Sequence, residues 1–448
     1  MELFGTAGIR GPVTEVTPDL ALAVGRAAGV DGDAFVLGRD GRETGAALAD
    51  ALAAGLESAG ATVLRLGTVP TPAVAYASRG RRGVMVTASH NPPTDNGIKL
   101  FVDGREYDSE SERRIEAHVD ADEGQAEWDA WGTGERVDVL GEYRDAVADY
   151  AAGHGATPED LTVAVDCGNG MAGLATPQVL TSLGADVVAL NANVDGHFTA
   201  RESKPTPETL ADLRAFVADG DADLGIGHDG DADRIVVLDG DGDVVHEDTV
   251  LAIVAEHYTR ASDAGDPVVV TTPNASGRID ERVRAAGGRV ERVRLGALHE
   301  GIAEARGAGD EDTEVVFAAE PWKHIHPAFG GWIDGVASAA VITRLVADSG
   351  LDALREPIAE RPYRKESVPC PDERKEAAME RLETALPDAF PEAGVNTDHG
   401  VRLDLDGGAW TLVRPSGTEP YIRVYAESET VDDLVETVVG VVEDAIED

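Results

Sequence analysis

Residues 84–92 read Val-Met-Val-Thr87-Ala88-Ser89-His90-Asn91-Pro92, an apolar run that passes directly into a polar loop. A short apolar run followed by small residues and proline is typical of a buried strand and the turn after it. In α/β layers, functional loops commonly lie at the carboxyl ends of such strands. The small Ala88 and the two prolines that follow favour a rigid, exposed loop that presents Ser89, whose oxygen can carry a phosphoryl group.

The same alternation of strand-length apolar runs and helix-like segments occurs on both sides of this stretch. Helical patterns fill residues 18–28 and 45–58. The apolar runs lie at 34–37, 62–66 and 84–87, then at 162–166, 186–189 and 224–227, and again at 267–271, 289–294 and 315–318. This alternation predicts an α/β fold with three similar α/β domains, whose sheets are mixed and mainly parallel.

The last part of the chain has a different pattern. Residues 401–405 and 410–413 flank an Asp406-Gly-Gly408 turn, which is a hairpin signal. A further strand at 421–426 and a closing helix at 431–446 complete a predicted C-terminal α+β domain. We interpret the acidic segment 120–134 as a surface loop and the segment 362–373, with its three prolines, as a linker. The predicted domains are 1–150, 151–246, 247–358 and 359–448.

A second polar motif, Asp229-Gly230-Asp231-Ala232-Asp233-Arg234, follows the predicted strand 224–227. Alternate carboxylates with small residues between them can wrap one divalent cation, because hard cations prefer oxygen ligands. A calcium loop of the EF-hand type needs Gly at its sixth position and Glu at its twelfth. Counted from Asp229, these positions hold Arg234 and Gly240, so that template fails. We interpret the similar Asp239-Gly-Asp241-Gly-Asp243 as a solvated hairpin turn.

Other polar stretches carry groups that suit phosphate chemistry. Lys99 supplies an ammonium whose pKa can be tuned for general acid/base catalysis. His90 can orient or protonate a neighbouring oxygen. The stretch Arg414-Pro-Ser416-Gly417-Thr418 combines a guanidinium fork with hydroxyls and loop amides, which is typical of a phosphate cradle. The alternative interpretation of these stretches is an ordinary polar turn.

A rival hypothesis starts from Gly168-Asn-Gly170-Met-Ala-Gly173, which follows the predicted strand 162–166. With Asp195 near the end of the next strand, this spacing is that of a dinucleotide-binding turn and favours an oxidoreductase. The simpler interpretation is a tight turn between a strand and a helix. The rival hypothesis does not account for Ser89 or for the aspartate motif. A non-catalytic sugar-phosphate-binding protein is the third hypothesis.

The chain of 448 residues carries a formal charge of −46, spread along its whole length, and contains only five lysines. One interpretation is a surface for basic partners. We favour adaptation to a salty cytoplasm, because at molar salt the Debye length falls to ~3 Å and self-repulsion is screened. Nucleic-acid binding is disfavoured, since no basic patch offsets the repulsion from phosphates. The lack of a long apolar window and of a signal peptide, with two distant cysteines, predicts a cytoplasmic protein that does not insert into membranes.

Taken in order, the motifs resemble those of the α-D-phosphohexomutase family. They are Gly8-Ile-Arg10-Gly11, the serine motif at 87–92, the aspartate motif at 229–234, a loop with Glu320 and His324, and the motif at 414–418. The resemblance runs from Phe4 to Arg423. It implies four domains around a central cleft and an enzyme that interconverts sugar 6-phosphates and sugar 1-phosphates. The implied route passes through a phosphoserine and a bisphosphate intermediate.

The resemblance also implies a role for each motif. Ser89 would be the phosphoserine, and Asp229, Asp231 and Asp233 would bind magnesium together with its phosphate. The groups implied around the reacting phosphate are Arg10, His90, Lys99 and Arg234, with Lys99 as general acid/base. The resemblance implies that the sugar is bound by Glu320, Lys323 and His324. It implies that the phosphate of the substrate that is not being transferred is bound by Arg414, Ser416, Gly417, Thr418 and Arg423. A sugar 1,6-bisphosphate would act as activator, and the protein would be a monomer or a homodimer.

One loop departs from the family pattern. The family's sugar loop usually reads Gly-Glu-x-Ser-Gly-His, whereas this chain reads Ala319-Glu-Pro-Trp322-Lys323-His324. The sugar that is preferred therefore stays open among amino sugar, glucose, mannose and pentose phosphates. The opening motif and the chain length resemble the phosphoglucosamine mutase branch most, so glucosamine phosphate is the expected substrate. Phosphoglucomutase, phosphomannomutase and phosphopentomutase activities are the alternatives.

Overall fold

The computed structural model describes residues 3–5, 8–416 and 419–447. These residues form two compact units, each of which draws on two stretches of the chain. The first unit contains the residues up to Glu247 together with Trp322–Leu354. The second contains Asp248–Pro321 together with the residues from Arg355 onward.

The first sheet belongs to the first unit. Its strands are β1 Ile9–Pro12, β2 Ala34–Arg39, β3 Thr62–Thr68, β4 Arg82–Val86, β5 Asp95–Val102, β6 Arg105–Glu106 and β7 Gly134–Arg136. The helices between and after them are α1 Pro18–Gly29, α2 Gly45–Ser58, α3 Thr71–Ala77, α4 Ser109–Asp120 and α5 Leu140–Ala152. The strands lie in the order β1-β5-β4-β2-β3-β7, and β6 pairs with β5. A core of aliphatic residues from α1, α2 and the central strands is fully buried.

The order β4-β2-β3 determines where a ligand can bind. From β2 the chain crosses to β3 on one side, and from β3 it returns to β4 on the other side of β2. All three strands are parallel, so their carboxyl ends meet at one edge of the sheet. Ligands of open α/β sheets bind in the crevice at such a reversal. The loop that carries Ser89 follows β4 at this point.

The second sheet continues the first unit. Its strands are β8 Thr162–Asp166, β9 Asp186–Leu190, β10 Leu224–His228 and β11 Ile235–Leu238, in the order β11-β10-β8-β9. The helices α6 Thr176–Leu183 and α7 Ala211–Asp219 lie between the strands in sequence, as does a 3₁₀ turn at Met171–Leu174. The strands β8, β9 and β10 are parallel, and β11 returns antiparallel to β10. The reversal between β10 and β11 contains the aspartate motif.

The second unit opens with a third, parallel sheet. Its elements are α8 Glu247–Ala261, β12 Asp266–Thr271, α9 Gly277–Ala285, β13 Arg289–Arg292, α10 Leu298–Ala308 and β14 Thr313–Glu320. The strand order is β13-β12-β14. The chain then re-enters the first unit with β15 Lys323–Ile325 and α11 Gly335–Ser349, and leaves it through α12 Leu351–Arg355. Helix α11 is capped by Asp334, whose side chain accepts from the backbone N–H of Ala337.

The C-terminal part of the second unit is an antiparallel sheet with two helices. Its elements are β16 Tyr363–Pro369, α13 Asp372–Ala389, β17 Gly394–Asn396, β18 Val401–Asp404, β19 Trp410–Pro415, β20 Tyr421–Glu427 and α14 Val431–Glu447, with a 3₁₀ turn at Asp406–Gly408. The interpretation of 362–373 as a linker is wrong, because β16 pairs along its whole length with β20. Pro362 and Pro371 lie outside the strand and Pro369 at its end, which an edge strand tolerates.

The predicted fold class is confirmed: three sheets of α/β type, with mainly parallel strands, precede an antiparallel α+β part. The predicted turn at 239–243 is present as well, with the N–H of Asp239 bonded to the carbonyl of Asp243. The four domain boundaries stay a prediction. Within the described ranges, no helix has both the length and the apolar character that crossing a membrane requires.

Candidate active site

Ser89 lies at the sheet reversal, directly after β4. Its backbone adopts a left-handed conformation with φ of 52°, and its side-chain oxygen donates a 2.7 Å hydrogen bond to Oδ2 of Asp229. The loop is exposed at Pro92, Pro93 and Thr94, as expected, but Ser89 itself is fully buried, so the expectation that the loop presents this serine to solvent is wrong. Its carbonyl is covered by Ser203, which donates from Oγ at 2.9 Å. A Cβ on Gly230 would come within 2.8 Å of the same carbonyl, so only glycine allows this approach.

The three aspartates of the second motif form one buried cluster. One carboxylate oxygen from each of Asp229, Asp231 and Asp233 lies within 4.8 Å of the others. Oδ2 of Asp231 accepts from Thr71 Oγ1 at 2.6 Å, and Oδ2 of Asp233 accepts from Lys99 Nζ at 2.8 Å. The predicted metal ligands and the predicted phosphoserine are thus brought together, although 140 residues separate Ser89 from Asp229.

The cluster fits a divalent cation. Oδ1 of Asp231 and Oδ1 of Asp233 are buried and accept no hydrogen bond from the described part of the chain. Burial raises the pKa of Asp229 well above its ordinary value, and the neighbouring Asp233 and Asp231 charges raise it further. Buried carboxylates in such proximity repel one another unless a cation compensates them. The donor set, oxygen only, is the one that magnesium and calcium prefer.

Lys99, on β5, is the nearest cation to the triad. Its Nζ lies 2.8 Å from Oδ2 of Asp233 and 3.6 Å from Oδ2 of Asp231. Burial by itself lowers the pKa of Lys99, but Asp233, Asp231 and Glu106 outweigh burial and raise it above its ordinary value. Lys99 is therefore protonated in this arrangement and pairs with the aspartates as an ammonium.

His90 is surrounded by three cations. Burial lowers the pKa of His90 to about 3, and the charges of Arg234, Arg10 and Lys323 contribute in the same direction. The imidazole is therefore neutral near pH 7. Nε of Arg10, on β1, and Nε of Arg234 are buried and donate no hydrogen bond to any described residue. Positive groups that converge with unused donors form a receptor for an anion such as a phosphoryl group.

The residues predicted to read the sugar fall in two units. Glu320 ends β14 in the second unit and accepts from the backbone N–H of Gly296. Lys323 and His324 belong to the first unit, where Lys323 forms an antiparallel bridge with Arg234. Burial lowers the pKa of His324 to about 3, and its Nδ1 lies 3.1 Å from Oγ of Ser338. Lys323 is thus close to the serine and aspartate motifs, a location that the loop pattern alone did not predict.

The predicted phosphate loop lies in the C-terminal sheet. Arg414 on β19 and Arg423 on β20 are direct partners across the strand pair. Like charges directly opposite each other destabilise a sheet unless a counter-anion lies between them. Nη2 of Arg414 donates to the Tyr425 hydroxyl at 2.9 Å, and Arg423 forms an ion pair with Glu419. The N–H of Ser416 donates to the carbonyl of Tyr421, whereas the predicted Gly417 and Thr418 lie outside the described residues.

Several residues at these sites were not identified from the sequence. Asp40 and Arg42, which follow β2, contact the serine loop. The sequence does contain a signal for these two residues. They come shortly after the apolar run 34–37, just as the serine motif comes directly after the apolar run before it. Thr71 and Ser203 leave no comparable pattern. Lys375, one of only five lysines, donates from Nζ to the carbonyls of Ser416 and Glu419 and so supports the phosphate loop.

The glycines of the rival dinucleotide motif are enclosed by protein. A Cβ on Gly168 would lie 2.6 Å from the Arg201 guanidinium. A Cβ on Gly170 would lie 2.7 Å from the carbonyl oxygen of Gly230 in the aspartate motif. The glycine-rich turn therefore packs against the aspartate motif, and close packing accounts for its glycines.

Comparisons with known proteins agree with this geometry. Sequence models of the phosphoglucomutase/phosphomannomutase family match three parts of the chain: α/β/α domain I at residues 1–126, α/β/α domain II at 142–242, and the C-terminal domain at 367–444. A protein of Thermococcus kodakarensis named phosphopentomutase is 42% identical, over 96% of this chain and 94% of its own. The chain belongs to the phosphoglucomutase/phosphomannomutase family.

As a member of this family, the protein is an isomerase that acts by intramolecular phosphate transfer. A Methanopyrus kandleri relative named "probable phosphoglucosamine mutase" is 41% identical, over 95% of this chain and 94% of its own. The fold matches a solved structure of a phosphoglucomutase/phosphomannomutase family protein from Burkholderia thailandensis with a TM-score of 0.83. That structure is 24% identical and covers 98% of this chain and 97% of its own.

Proposed function

We propose that the protein interconverts a sugar 1-phosphate and the isomer phosphorylated at the terminal hydroxyl, through phospho-Ser89. The observation that carries this proposal is the 2.7 Å hydrogen bond from Ser89 Oγ to Asp229 within the buried aspartate cluster. A serine oxygen at a cluster of oxygen ligands combines a phosphoryl acceptor with a cation site. Positioning and charge neutralisation are the main sources of catalysis in phosphoryl transfer.

In the first half-reaction, the free hydroxyl of the sugar phosphate attacks the phosphorus of phospho-Ser89. The bond from phosphorus to the serine oxygen breaks, a sugar bisphosphate forms, and one proton moves in net terms from the sugar hydroxyl to Ser89. We assign this proton transfer to Lys99, which the aspartates keep protonated. Its ammonium would give a proton to the Ser89 oxygen as the bond to phosphorus breaks, and the resulting amine would take the proton of the sugar hydroxyl. After the bisphosphate reorients, the second half-reaction transfers its other phosphate back to Ser89 by the reverse chemistry.

We assign charge neutralisation to groups on both sides of the transferred phosphate. Arg10 and Arg234, with their unused buried N–H groups, would hold its oxygens, and the neutral His90 would orient one of them. Asp229, Asp231, Asp233 and the Ser89 oxygen would hold a magnesium ion. Bound magnesium would supply Lewis-acid stabilisation of the negative charge on the transferred group.

The remaining predicted residues bind the rest of the substrate in this proposal. Arg414, Ser416 and Arg423, with Gly417 and Thr418 of the same loop, would hold the phosphate that does not react. The unfavourable pairing of Arg414 with Arg423 supports this role, since an anion would relieve it. Glu320, Lys323 and His324 would contact the sugar, and Lys323, which is bridged to Arg234, would also place its charge beside the reacting phosphate.

For the substrate, we propose glucosamine phosphate. The many relatives named phosphoglucosamine mutase support this choice. Phosphopentomutase activity is the second candidate, because the relative at 42% identity carries that name. Glucose and mannose phosphates are further alternatives. We also propose that a sugar 1,6-bisphosphate primes the enzyme by phosphorylating Ser89, and that the protein works in a salty cytoplasm.

Phosphorus NMR tests this proposal directly. The protein in molar KCl with magnesium and a trace of glucose 1,6-bisphosphate is mixed with the 6-phosphates of glucosamine, glucose or mannose, or with ribose 5-phosphate. A growing 1-phosphate signal in one sample identifies the substrate. The Ser89→Ala variant should fold normally and give no signal, whereas the matched variant Ser182→Ala, on the surface of α6, should behave as wild type. Near-normal turnover by Ser89→Ala would refute the phosphoserine route.

A further inference from the structure

Arg42 follows β2 and lies fully buried beside the loop that follows β4. Because β2 and β4 are parallel neighbours, their carboxyl-terminal loops meet at the sheet reversal. Neither the family resemblance nor the proposed reaction gives this residue a role. Four of the five groups that accept from its guanidinium are backbone carbonyls.

Every N–H donor of the Arg42 guanidinium is used. Nε donates to Oδ2 of Asp40 at 3.0 Å. The Nη1 and Nη2 groups donate to four carbonyls of the serine loop, namely those of Ser89, Asn91, Pro92 and Asp95. A guanidinium has five N–H groups and no acceptor, so these five bonds satisfy it completely. The serine loop is therefore wrapped around a single cation.

The two backbone polar groups of Ser89 lead back to the same ion pair. Its carbonyl accepts from Nη2 of Arg42 at 2.9 Å. Its N–H donates to Oγ1 of Thr87 at 2.8 Å, and that hydroxyl donates to Oδ2 of Asp40 at 2.7 Å. Asp40 is the counter-ion of Arg42, and both side chains are inaccessible to solvent. The Arg42–Asp40 ion pair thus fixes both the carbonyl of Ser89, by a direct hydrogen bond, and its N–H, through Thr87.

This support acts on a residue with a strained backbone. Ser89 has φ of 52°, and the left-handed region is unfavourable for a residue other than glycine. Without the bonds to its carbonyl and N–H, Ser89 would relax toward negative φ. Its Cβ would then turn, and Oγ would leave its position 2.7 Å from Asp229.

We propose that Arg42 is a positioning residue for phosphoryl transfer, which holds Ser89 in the left-handed conformation that directs Oγ to the aspartate cluster. This inference rests on the proposed function, since it concerns the same serine. Arg42 acts through the Ser89 backbone, because its hydrogen bond to Ser89 is to the carbonyl. Ser203, whose Oγ donates to the same carbonyl at 2.9 Å, completes the support from the second sheet.

Arg42→Lys is the primary test. Lysine keeps the charge beside Asp40 but has only three donors in a different geometry. Because a displacement of about 1 Å can reduce a rate roughly 100-fold, we expect kcat to fall by about that factor. The KM for the sugar phosphate should change less than about threefold, since the groups that bind the sugar and its other phosphate remain. The burst of phospho-Ser89 formation from glucose 1,6-bisphosphate should slow by the same factor as kcat.

Arg344→Lys is the matched control. Arg344 lies in the same unit, is buried, and also donates to backbone carbonyls, those of Ala152, His154 and Gly155, but away from Ser89. It should lose thermal stability as Arg42→Lys does while keeping the wild-type kcat. If the two variants lose kcat equally, or if Arg42→Lys keeps it, the positioning role is refuted.

A second variant covers the case in which Arg42→Lys does not fold. Thr87→Val removes only the link between Asp40 and the Ser89 N–H, and it should lower kcat about 10-fold with an unchanged KM. This factor corresponds to about 1.4 kcal/mol, which is within the range of one lost hydrogen bond. Wild-type kinetics in Thr87→Val would then refute the role. An inactive wild-type protein would instead refute the proposed function, and the inference with it.

Discussion

Ser89 Oγ and Asp229 Oδ2 lie 2.7 Å apart and share a hydrogen bond. Phosphorylation of Ser89 therefore adds about two negative charges next to three buried carboxylates. The phosphorylated site repels itself more strongly than the unphosphorylated one, and it also offers additional oxygen ligands. Occupancy by a cation and phosphorylation of Ser89 should consequently favour each other.

We predict that the phosphorylated protein binds magnesium at least 10-fold more tightly than the dephosphorylated protein, a coupling of about 1.4 kcal/mol or more. Calorimetric titration of both forms in molar KCl measures the difference. Ser89→Ala, treated with glucose 1,6-bisphosphate, should bind magnesium as the dephosphorylated protein does. Equal affinities for the two wild-type forms would contradict the coupling.

Removing one aspartate of the cluster should change the melting temperature in opposite directions in the absence and in the presence of magnesium. Asp231→Asn removes one of three mutually repelling buried charges, so the metal-free variant should melt at the wild-type temperature or above it. Saturating magnesium should raise the melting temperature of wild type by mass action but leave that of Asp231→Asn nearly unchanged. Asp241→Asn, in the exposed turn of similar sequence, is the matched control and should respond to magnesium as wild type does.

Lys323 predicts an effect on the reacting phosphate. Its charge acts on Asp233 and His90, and it is bridged to Arg234. Lys323→Ala should therefore lower kcat by about 100-fold, the effect of removing one charge-stabilising donor, for every sugar phosphate that is turned over. Steady-state kinetics with several sugars make the comparison, and the surface variant Lys365→Ala is the control. A loss confined to one sugar would show that Lys323 reads the sugar instead.

The opposed pair Arg414 and Arg423 predicts a binding effect. Arg423→Gln should raise KM by about 10- to 100-fold, because a charge-assisted hydrogen bond contributes about 1.5–3 kcal/mol. The value of kcat should stay within about threefold, since the phosphate bound at this loop is not the one transferred in that half-reaction. Removing one of two like charges should leave the ligand-free melting temperature unchanged or higher. A large fall in kcat with an unchanged KM would contradict the assignment.

The net charge of −46 predicts a dependence on salt. Between 1 M and 0.1 M ionic strength the Debye length grows from ~3 Å to ~10 Å, so repulsion between surface carboxylates returns. The melting temperature should fall steadily as KCl is diluted over this range. NaCl should protect as KCl does, because screening depends on ionic strength. A flat profile would refute adaptation to salt.

The parts of the site that the sequence predicts are those formed by local spacing. Asp229, Asp231 and Asp233 are close in space because they alternate along one loop, and Ser89 follows a strand that is apolar enough to recognise. The burial of Ser89 was not predicted, because it depends on Ser203 and Gly230, which the fold brings from far along the chain.

Contacts to the backbone were missed for a different reason. Arg42 donates hydrogen bonds to four backbone carbonyls. Every residue has a backbone carbonyl, so the sequence does not show which residues accept these bonds. The strand β16 resembles a linker in sequence because of its prolines, which lie at or beyond its ends and leave its pairing with β20 intact. Edge pairing tolerates proline, and only the partner strand shows where the edge is.

The hydrogen bond between Ser89 and Asp229 has a consequence for protein synthesis. A nascent chain that has emerged as far as β5 carries Ser89, but neither Asp229 nor Ser203 has yet been translated. The loop then lacks its covering groups, and the serine lacks the aspartate cluster that the proposed reaction requires. If Ser89 is the phosphate acceptor, its reactivity arises only once the ribosome has added the second sheet, and a truncated product that ends before β10 carries this serine in an inert form.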